Sequence, residues 1–134
     1  MIQTRFDSKR SRVYTRVSGT LTFDDLFAHI MEQIRTRLYR FPELFDVTDA
    51  RTELSATDIQ EIARIAEELE PPDRPAPLAI VASDPYVFGM AHMYQALCEG
   101  IRAVGVFRGM TAAAQWLSVQ TSSIASEPEA KQSE

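Results

Sequence analysis

The chain has 134 residues, of which 45% are hydrophobic, and its formal net charge is −5. This length fits one domain with its own core, and the single cysteine, Cys98, excludes an internal disulfide and a cysteine-based zinc cluster. The longest apolar run, residues 78–82, is far too short to span a membrane, and the N-terminal residues lack the apolar stretch of a signal peptide. We therefore expect a soluble cytoplasmic protein.

The first forty residues predict a β-hairpin followed by an amphipathic helix. Residues 2–6 and 12–18 alternate in polarity around a polar turn, which is typical of paired strands. Thr22 and Asp25 have the spacing of a helix capping box. Apolar residues then recur at helical spacing, at Phe23, Leu26, Phe27, Ile30, Met31 and Ile34. We expect this helix to end near residues 35–37.

The rest of the chain alternates between strands and helices. The predicted elements are a strand over 44–48, a helix from Ser55 to the proline-rich segment 70–77, a strand over 78–82, a helix over 83–99, a strand over 103–107 and a helix from Thr111 to about Leu117. The order β-β-α-β-α-β-α-β-α predicts a single α/β domain over residues 1–120, with a mostly parallel sheet. The polar composition of residues 121–134 predicts a disordered tail.

The element order and two segments of the chain resemble the SpoIIAA-like fold. The segments are Leu-Phe-Asp-Val-Thr at 44–48, and Val-Gly-Val-Phe-Arg at 104–108 with Ala-Ala-Gln-Trp-Leu at 113–117. This fold is shared by STAS domains, which include anti-sigma factor antagonists, and by small bacterial proteins similar to CRAL-TRIO lipid carriers. The resemblance covers about residues 1–118 and implies a regulatory or binding module, or a carrier of an apolar ligand.

Antagonists with this fold carry a phosphorylated serine in an Asp-Ser-Ser-Gly-like turn before the second helix. The matching region here, residues 49–58, is longer and contains no Ser-Gly pair. Ser55 and Thr57 are the candidates for the phosphorylated position. Because serine is a preferred helix N-cap, we expect both residues to serve as caps and not as phosphoacceptors.

Polar side chains follow two predicted strands. Asp46 and Asp49 lie at the end of one strand, and Ser83 and Asp84 lie at the end of the next. Ligands of open α/β sheets bind at such ends, so these four residues predict a polar rim. Paired carboxylates can hold a metal or transfer protons, although Asp before a helix commonly caps it.

The sequence argues against catalysis. An enzyme would have to use Asp46, Asp84 and His92, but no zinc-binding histidine pair and no phosphate-cradling glycine pattern is present. His29, beside the apolar stripe of the first helix, is expected at a surface or boundary position. We therefore predict a non-enzyme without metal or cofactor.

The third predicted helix is apolar on two sides. One stripe contains Val87, Ala91, Tyr94 and Cys98, and the other contains Met90, Met93, Leu97 and Ile101. Such a helix is buried between neighbours or forms a binding surface. The candidate surface consists of Tyr86, Phe88, Met90, Met93, Tyr94 and Leu97. Our leading hypothesis is recognition of a protein, most simply homodimerisation, and the alternative is a carrier of a small apolar or lipid-like ligand.

The charge is distributed unevenly along the chain. Residues 1–40 contain eight basic and four acidic side chains, whereas residues 41–74 contain three basic and ten acidic ones. The basic cluster consists of Arg5, Lys9, Arg10, Arg12 and Arg16. It is short and lacks a series of aromatic residues, so we interpret it as a solvated strand face and expect no nucleic-acid binding.

Overall fold

The chain forms a five-stranded sheet with helices on both faces in the computed structural model, which describes residues 1–69 and 76–132. The strands are β1 (Ile2–Asp7), β2 (Arg12–Leu21), β3 (Glu43–Thr52), β4 (Leu78–Val81) and β5 (Val104–Phe107). The helices are α1 (Phe23–Thr36), α2 (Ala56–Leu69), α3 (Pro85–Leu97) and α4 (Met110–Gln132), with a short 3-10 helix at Leu38–Arg40.

The strands lie in the order β1-β2-β3-β4-β5. β1 pairs antiparallel with β2 and forms one edge, while every later pair is parallel. This arrangement confirms the predicted fold class and the predicted N-terminal hairpin. The register places Val13, Glu43 and Leu78 side by side across β2, β3 and β4, which fixes the residues that share each face.

Two apolar cores occupy the two faces of the sheet. The crossovers from β2 to β5 all step in the same direction, so their common right-handedness places α1, α2 and α3 on one face. There Phe45, Val47 and Ile80 pack with residues of the helices such as Ile59 and Val87. On the opposite face α4 covers the sheet, with Leu44, Ala79, Val81, Ala113 and Leu117 buried together.

Local capping defines the beginning of two helices. The Thr22 hydroxyl accepts from the Asp25 N–H at 3.1 Å and the Asp25 carboxylate accepts from the Thr22 N–H at 3.1 Å, which confirms the predicted capping box. Asp84 caps α3 through bonds from the N–H groups of Tyr86 and Val87. Pro85 follows at the first helical position, where it removes no hydrogen bond of the helix.

The strand predicted over 44–48 is wrong in length. β3 continues to Thr52 because β2 also continues, and residues 18–21 of β2 pair with residues 49–52 of β3 after a bulge. Asp46 and Asp49 therefore lie within a strand and not at its end. The alternating pattern ends near residue 18 in the sequence, so this extension depends on the pairing of the two strands.

Helix α4 also differs from its prediction. It begins at Met110, with Gly109 O accepting from Ala113 N, so Thr111 lies in the first turn and is not the cap. The helix continues to Gln132, beyond the predicted end near Leu117. Disorder over 121–134 stays a prediction, and most of the proline-rich segment 70–77 lies outside the described residues. In the described part of the chain, no helix is both long and apolar enough to cross a bilayer.

Candidate functional site

A cavity of about 140 Å³ lies between the sheet and helices α1, α2 and α3. Most of its wall is aliphatic or aromatic, and includes Leu26, Ile30, Phe45, Ile62, Ile80 and Met90. Seven side chains with polar groups also line it, namely His29, Gln33, Tyr39, Glu43, Thr52, Tyr94 and Arg102. The cavity is therefore apolar over most of its surface, with a limited number of polar contacts.

His29 and Glu43 form a buried pair at this wall. His29 Nε2 lies 2.9 Å from Glu43 Oε2, and the two side chains are only 10% and 5% exposed. Thr15 donates its hydroxyl proton to the same carboxylate oxygen at 2.6 Å, and the Gln33 amide lies 3.5 Å from it. The carboxylate thus has three protein partners.

The surroundings of Glu43 keep it ionised. Burial by itself raises the pKa of Glu43, but the hydrogen bond and the charge of His29, with contributions from Arg102 and Thr15, lower the pKa below its usual value. An ionised carboxylate only accepts hydrogen bonds. His29 Nε2 is therefore the donor in this pair.

The second ring nitrogen of His29 is accessible. Each fully buried side-chain nitrogen or oxygen of the described residues has a hydrogen-bond partner, whereas the polar contacts of His29 with described residues all involve Nε2. Nδ1 is therefore not sealed inside the protein, and its ring lines the cavity. In the neutral imidazole, with Nε2 protonated, Nδ1 is a hydrogen-bond acceptor.

Glu43 and its pairing with His29 were not predicted from the sequence. Side chains alternate along a strand, so Glu43 shares the core-facing row of β3 with Phe45 and Val47. A carboxylate at every second position from apolar residues of a strand is the sequence signal that would have identified Glu43 as a buried residue. His29 has intermediate exposure, as expected for a boundary position, but its imidazole is mostly buried because its partner comes from a strand 14 residues away.

Tyr94 of α3 is another polar group at the cavity. Burial is the largest cause that raises the pKa of its phenol, and the thiol of Cys98 adds to the effect through charge and a hydrogen bond. The hydroxyl is therefore neutral and can donate or accept a hydrogen bond. Cys98 itself is buried, as expected for a small apolar residue on this side of the helix.

The six residues of the candidate surface on α3 lie in four environments. Met90 and Tyr94 line the cavity, and Met93 is partly buried against the core. Phe88 lies against His92, with ring centroids 4.6 Å apart, and beneath the guanidinium of Arg108. The remaining two, Tyr86 and Leu97, are exposed. The six residues therefore do not form one surface.

Only two of the four residues of the predicted polar rim, Asp46 and Ser83, are connected, and they are connected through Thr48. Asp46 accepts from the Thr48 N–H and hydroxyl at 3.0 and 2.7 Å, and Ser83 donates to the Thr48 carbonyl at 3.1 Å. Asp49 forms an ion pair with Arg16, while Asp84 caps α3. The described residues contain no cluster of three or more side chains suited to a metal.

The residues of the alternative enzyme hypothesis are not linked. His92 is exposed and its Nδ1 lies 3.0 Å from Gln95 Oε1 on the same helix. No hydrogen bond or ion pair among the described residues joins any two of Asp46, Asp84 and His92. The site that the structure does assemble is the His29–Glu43 pair.

Ser55 occupies the N-cap of α2. Its hydroxyl accepts from the Asp58 N–H at 3.1 Å, and the Asp58 carboxylate accepts from the Ser55 N–H at 2.9 Å. This reciprocal pair confirms the predicted cap. Thr57 is exposed in the first turn of the helix, so it is not the cap. That neither residue is phosphorylated stays a prediction.

Comparison with known proteins identifies the fold. The sequence matches no protein-family model and no curated protein. The structure is similar to an uncharacterised protein from the DUF3478 family of Shewanella loihica PV-4 with a SpoIIAA-like fold, at a TM-score of 0.57 and 15% identity, covering 87% of this chain and 92% of that one. It is also similar to the anti-sigma factor antagonist SpoIIAA in its unphosphorylated form, at a TM-score of 0.54 and 12% identity, covering 85% and 94%. The chain therefore has the SpoIIAA-like fold.

Proposed function

We propose that this protein binds a small, mainly apolar molecule that carries one hydrogen-bonding group. The supporting observation is the apolar cavity with the buried His29–Glu43 pair in its wall. Burying an ion pair costs desolvation energy, and apolar side chains of similar volume often stabilise a core equally well or better. The pair is therefore better explained by recognition of a ligand than by stability.

The volume of the cavity limits the ligand to about one ring. An apolar cavity of roughly 150 Å³ in another protein binds benzene, and this one measures about 140 Å³. Pockets for drug-sized ligands are larger, at about 300–1,000 Å³. The proposal therefore narrows the apolar or lipid-like ligand of the sequence hypothesis to a compact molecule, whose size matches the volume of the cavity.

The polar group of the ligand follows from the hydrogen bonds of the site. Glu43 is occupied by three protein partners, while His29 Nδ1 is accessible, and it accepts a hydrogen bond in the neutral imidazole and donates one in the imidazolium. A hydroxyl group on the ligand can bond to this nitrogen in either form, because a hydroxyl both donates and accepts. Phenol is accordingly a better probe than toluene, since the two have nearly the same size and differ in the hydroxyl.

Titration calorimetry with phenol and toluene tests the proposal. One neutral hydrogen bond contributes about 0.5–1.5 kcal/mol, so we expect phenol to bind about two- to tenfold more tightly than toluene. The double variant H29F/E43Q should bind toluene and lose the preference for phenol. The E43Q change keeps a hydrogen-bond partner for Thr15 and leaves no unpaired charge after the imidazole is removed.

A matched pair of variants on α2 tests the location of the site. Ala66 lines the cavity and Ala63 does not. Ala66→Leu fills part of the cavity and should abolish binding of both probes, whereas Ala63→Leu should retain it. The proposal is wrong if the wild type binds neither probe at millimolar concentration, or if Ala66→Leu binds both as the wild type does.

Recognition of a protein partner through α3 stays a prediction. Of the six residues proposed for it, Tyr86 and Leu97 are 48% and 38% exposed and are available for contact in the free chain. Self-association through them is compatible with a filled cavity, because neither residue lines it.

A further inference from the structure

A basic group of side chains lies on the face of the hairpin opposite the cavity. The register places Arg5 of β1 directly beside Tyr14 of β2, and Arg12 shares that face because it is two residues before Tyr14. The Arg5 guanidinium carbon lies 4.5 Å from the centre of the Tyr14 ring, and that of Arg12 lies 6.0 Å from it. Two cations therefore flank one aromatic ring.

Arg12 is buried, and its partners among the described residues are neutral. Arg12 is only 7% exposed. Its guanidinium donates to the Ser118 hydroxyl of α4 at 3.1 Å and to the Tyr14 hydroxyl at 3.5 Å. Other arginines, including Arg10, Arg16, Arg35 and Arg64, each pair with a carboxylate. Within residues 1–69 and 76–132, no carboxylate that the structure describes lies within 4 Å of the guanidinium groups of Arg5 or Arg12.

A buried charge in a protein is normally paired, so the described surroundings of Arg12 lack an anion. We propose that Arg5, Arg12 and Tyr14 bind a phosphate group. Arg12 has five N–H donors, and the two hydroxyl contacts leave some of them unused. The Tyr14 hydroxyl accepts from Arg12, so its own proton is available to an oxyanion. Arg5 is exposed and supplies a second guanidinium from the neighbouring strand.

The geometry favours phosphate over carboxylate, and a small ligand over a nucleic acid. The guanidinium groups of Arg5 and Arg12 come from two strands, and the Tyr14 hydroxyl is a third donor. Such a set of donors matches the tetrahedral oxygens of phosphate better than the two coplanar oxygens of a carboxylate. Arginine also binds phosphate through paired hydrogen bonds. A protein with a net charge of −5 repels a polyanion, whereas two guanidinium groups suffice for a single phosphate.

The test measures binding of inorganic phosphate at neutral pH, with chloride of the same ionic strength as the reference. We expect phosphate, and not chloride, to raise the melting temperature of the wild type, because a ligand that binds only the folded state stabilises it. Titration calorimetry should show that Arg12→Gln weakens phosphate binding about tenfold or more. Arg12→Lys should restore part of the affinity, since it keeps the charge but not the fork of donors.

Two further variants keep the test decisive. Tyr14→Phe retains the ring and removes only the hydroxyl, so it should weaken phosphate binding even if Arg12→Gln does not fold. Arg35 is an exposed residue of α1 that is already paired with Glu32. The variant Arg35→Gln should therefore bind phosphate as the wild type does. Equal effects of phosphate and chloride on the wild type would overturn the proposal, as would unchanged binding in both Arg12→Gln and Tyr14→Phe. Tighter binding of a short oligonucleotide than of phosphate, lost in Arg12→Gln, would replace it with a nucleic-acid site.

Discussion

Glu43 is the residue on which the candidate site depends. It is the first residue of β3 and it points into the core beside Phe45, yet it remains ionised because His29, Arg102 and Thr15 lower its pKa against the effect of burial. Removing one partner of a buried charge pair commonly costs several kcal/mol. A single residue therefore links the stability of this core to pH and to the polarity of the cavity.

The substitution Glu43→Gln should change how stability depends on pH. The pKa of Glu43 lies below its usual 4.5 in the folded chain, so its ionised form stabilises the fold above about pH 4.5, and this contribution is lost as pH falls through the lower folded value. At about pH 7 we expect Glu43→Gln to cost about 1.5–3 kcal/mol. Toward about pH 3, where the carboxylate is protonated, the difference in the free energy of unfolding between Glu43→Gln and the wild type should shrink.

Urea unfolding at both pH values measures this effect. The exposed substitution Glu67→Gln leaves the buried pair intact and should follow the wild type. Parallel pH profiles for the wild type and Glu43→Gln would show that the carboxylate contributes nothing through its ionisation.

At the scale of single elements, α2 begins with a reciprocal cap. Ser55 and Asp58 satisfy each other's backbone N–H groups, which would otherwise lack partners in the first turn of the helix. The cap fixes the point at which the chain leaves the loop after β3. It also places Ile59 and Ile62 in the core, where Ile62 forms part of the cavity wall.

Ser55→Ala should cost about 0.5–2 kcal/mol of stability, the usual value for removal of an N-cap side chain. Thr57→Ala, in the exposed first turn, should change stability by less than about 0.5 kcal/mol. Chemical denaturation of the two variants gives the comparison. Stoichiometric phosphate on Ser55 or Thr57 in protein isolated from its host would contradict the purely structural role and point to a phosphoswitch.

At the scale of the whole molecule, the buried residues that the structure describes end well before the last helix does. Among the residues whose burial the structure describes, the last one in either core is Leu117. Leu117 is fully buried, while Trp116 is only partly buried and packs its ring at 5.7 Å from that of Phe107. Leu117 therefore seals the sheet against α4, and Trp116 packs beside it as a partly buried neighbour.

Truncation after Gln120 should therefore leave the melting temperature nearly unchanged, because it removes none of the core residues that the structure describes. Leu117→Ala is the matched comparison. It should cost about 2–5 kcal/mol, which corresponds to a drop of roughly 5–20 °C. Thermal unfolding followed by circular dichroism measures both. A large loss of stability in the truncated chain would mean that residues 121–134 contribute to the fold.

The sequence alone determined the order of the elements, the fold class and the caps of α1 and α2. These features are local: alternation, helical spacing and a cap depend on residues a few positions apart. The buried position of Cys98 followed in the same way from its place on the apolar stripe of α3. The sequence could not set the length of β3, because that depends on pairing with β2.

Only the tertiary structure decided where the functional groups lie. His29 and Glu43 are 14 residues apart and meet because β3 passes beneath α1, and Arg12 reaches Ser118 across 106 residues of sequence. The cavity is the space left between the sheet and three helices, which no local pattern encodes. The sequence does not distinguish a charged residue that is buried, such as Glu43, from one that is exposed. The register of the sheet decides which face each residue occupies. The physical reason is that burial and charge pairing are set by contacts between distant segments.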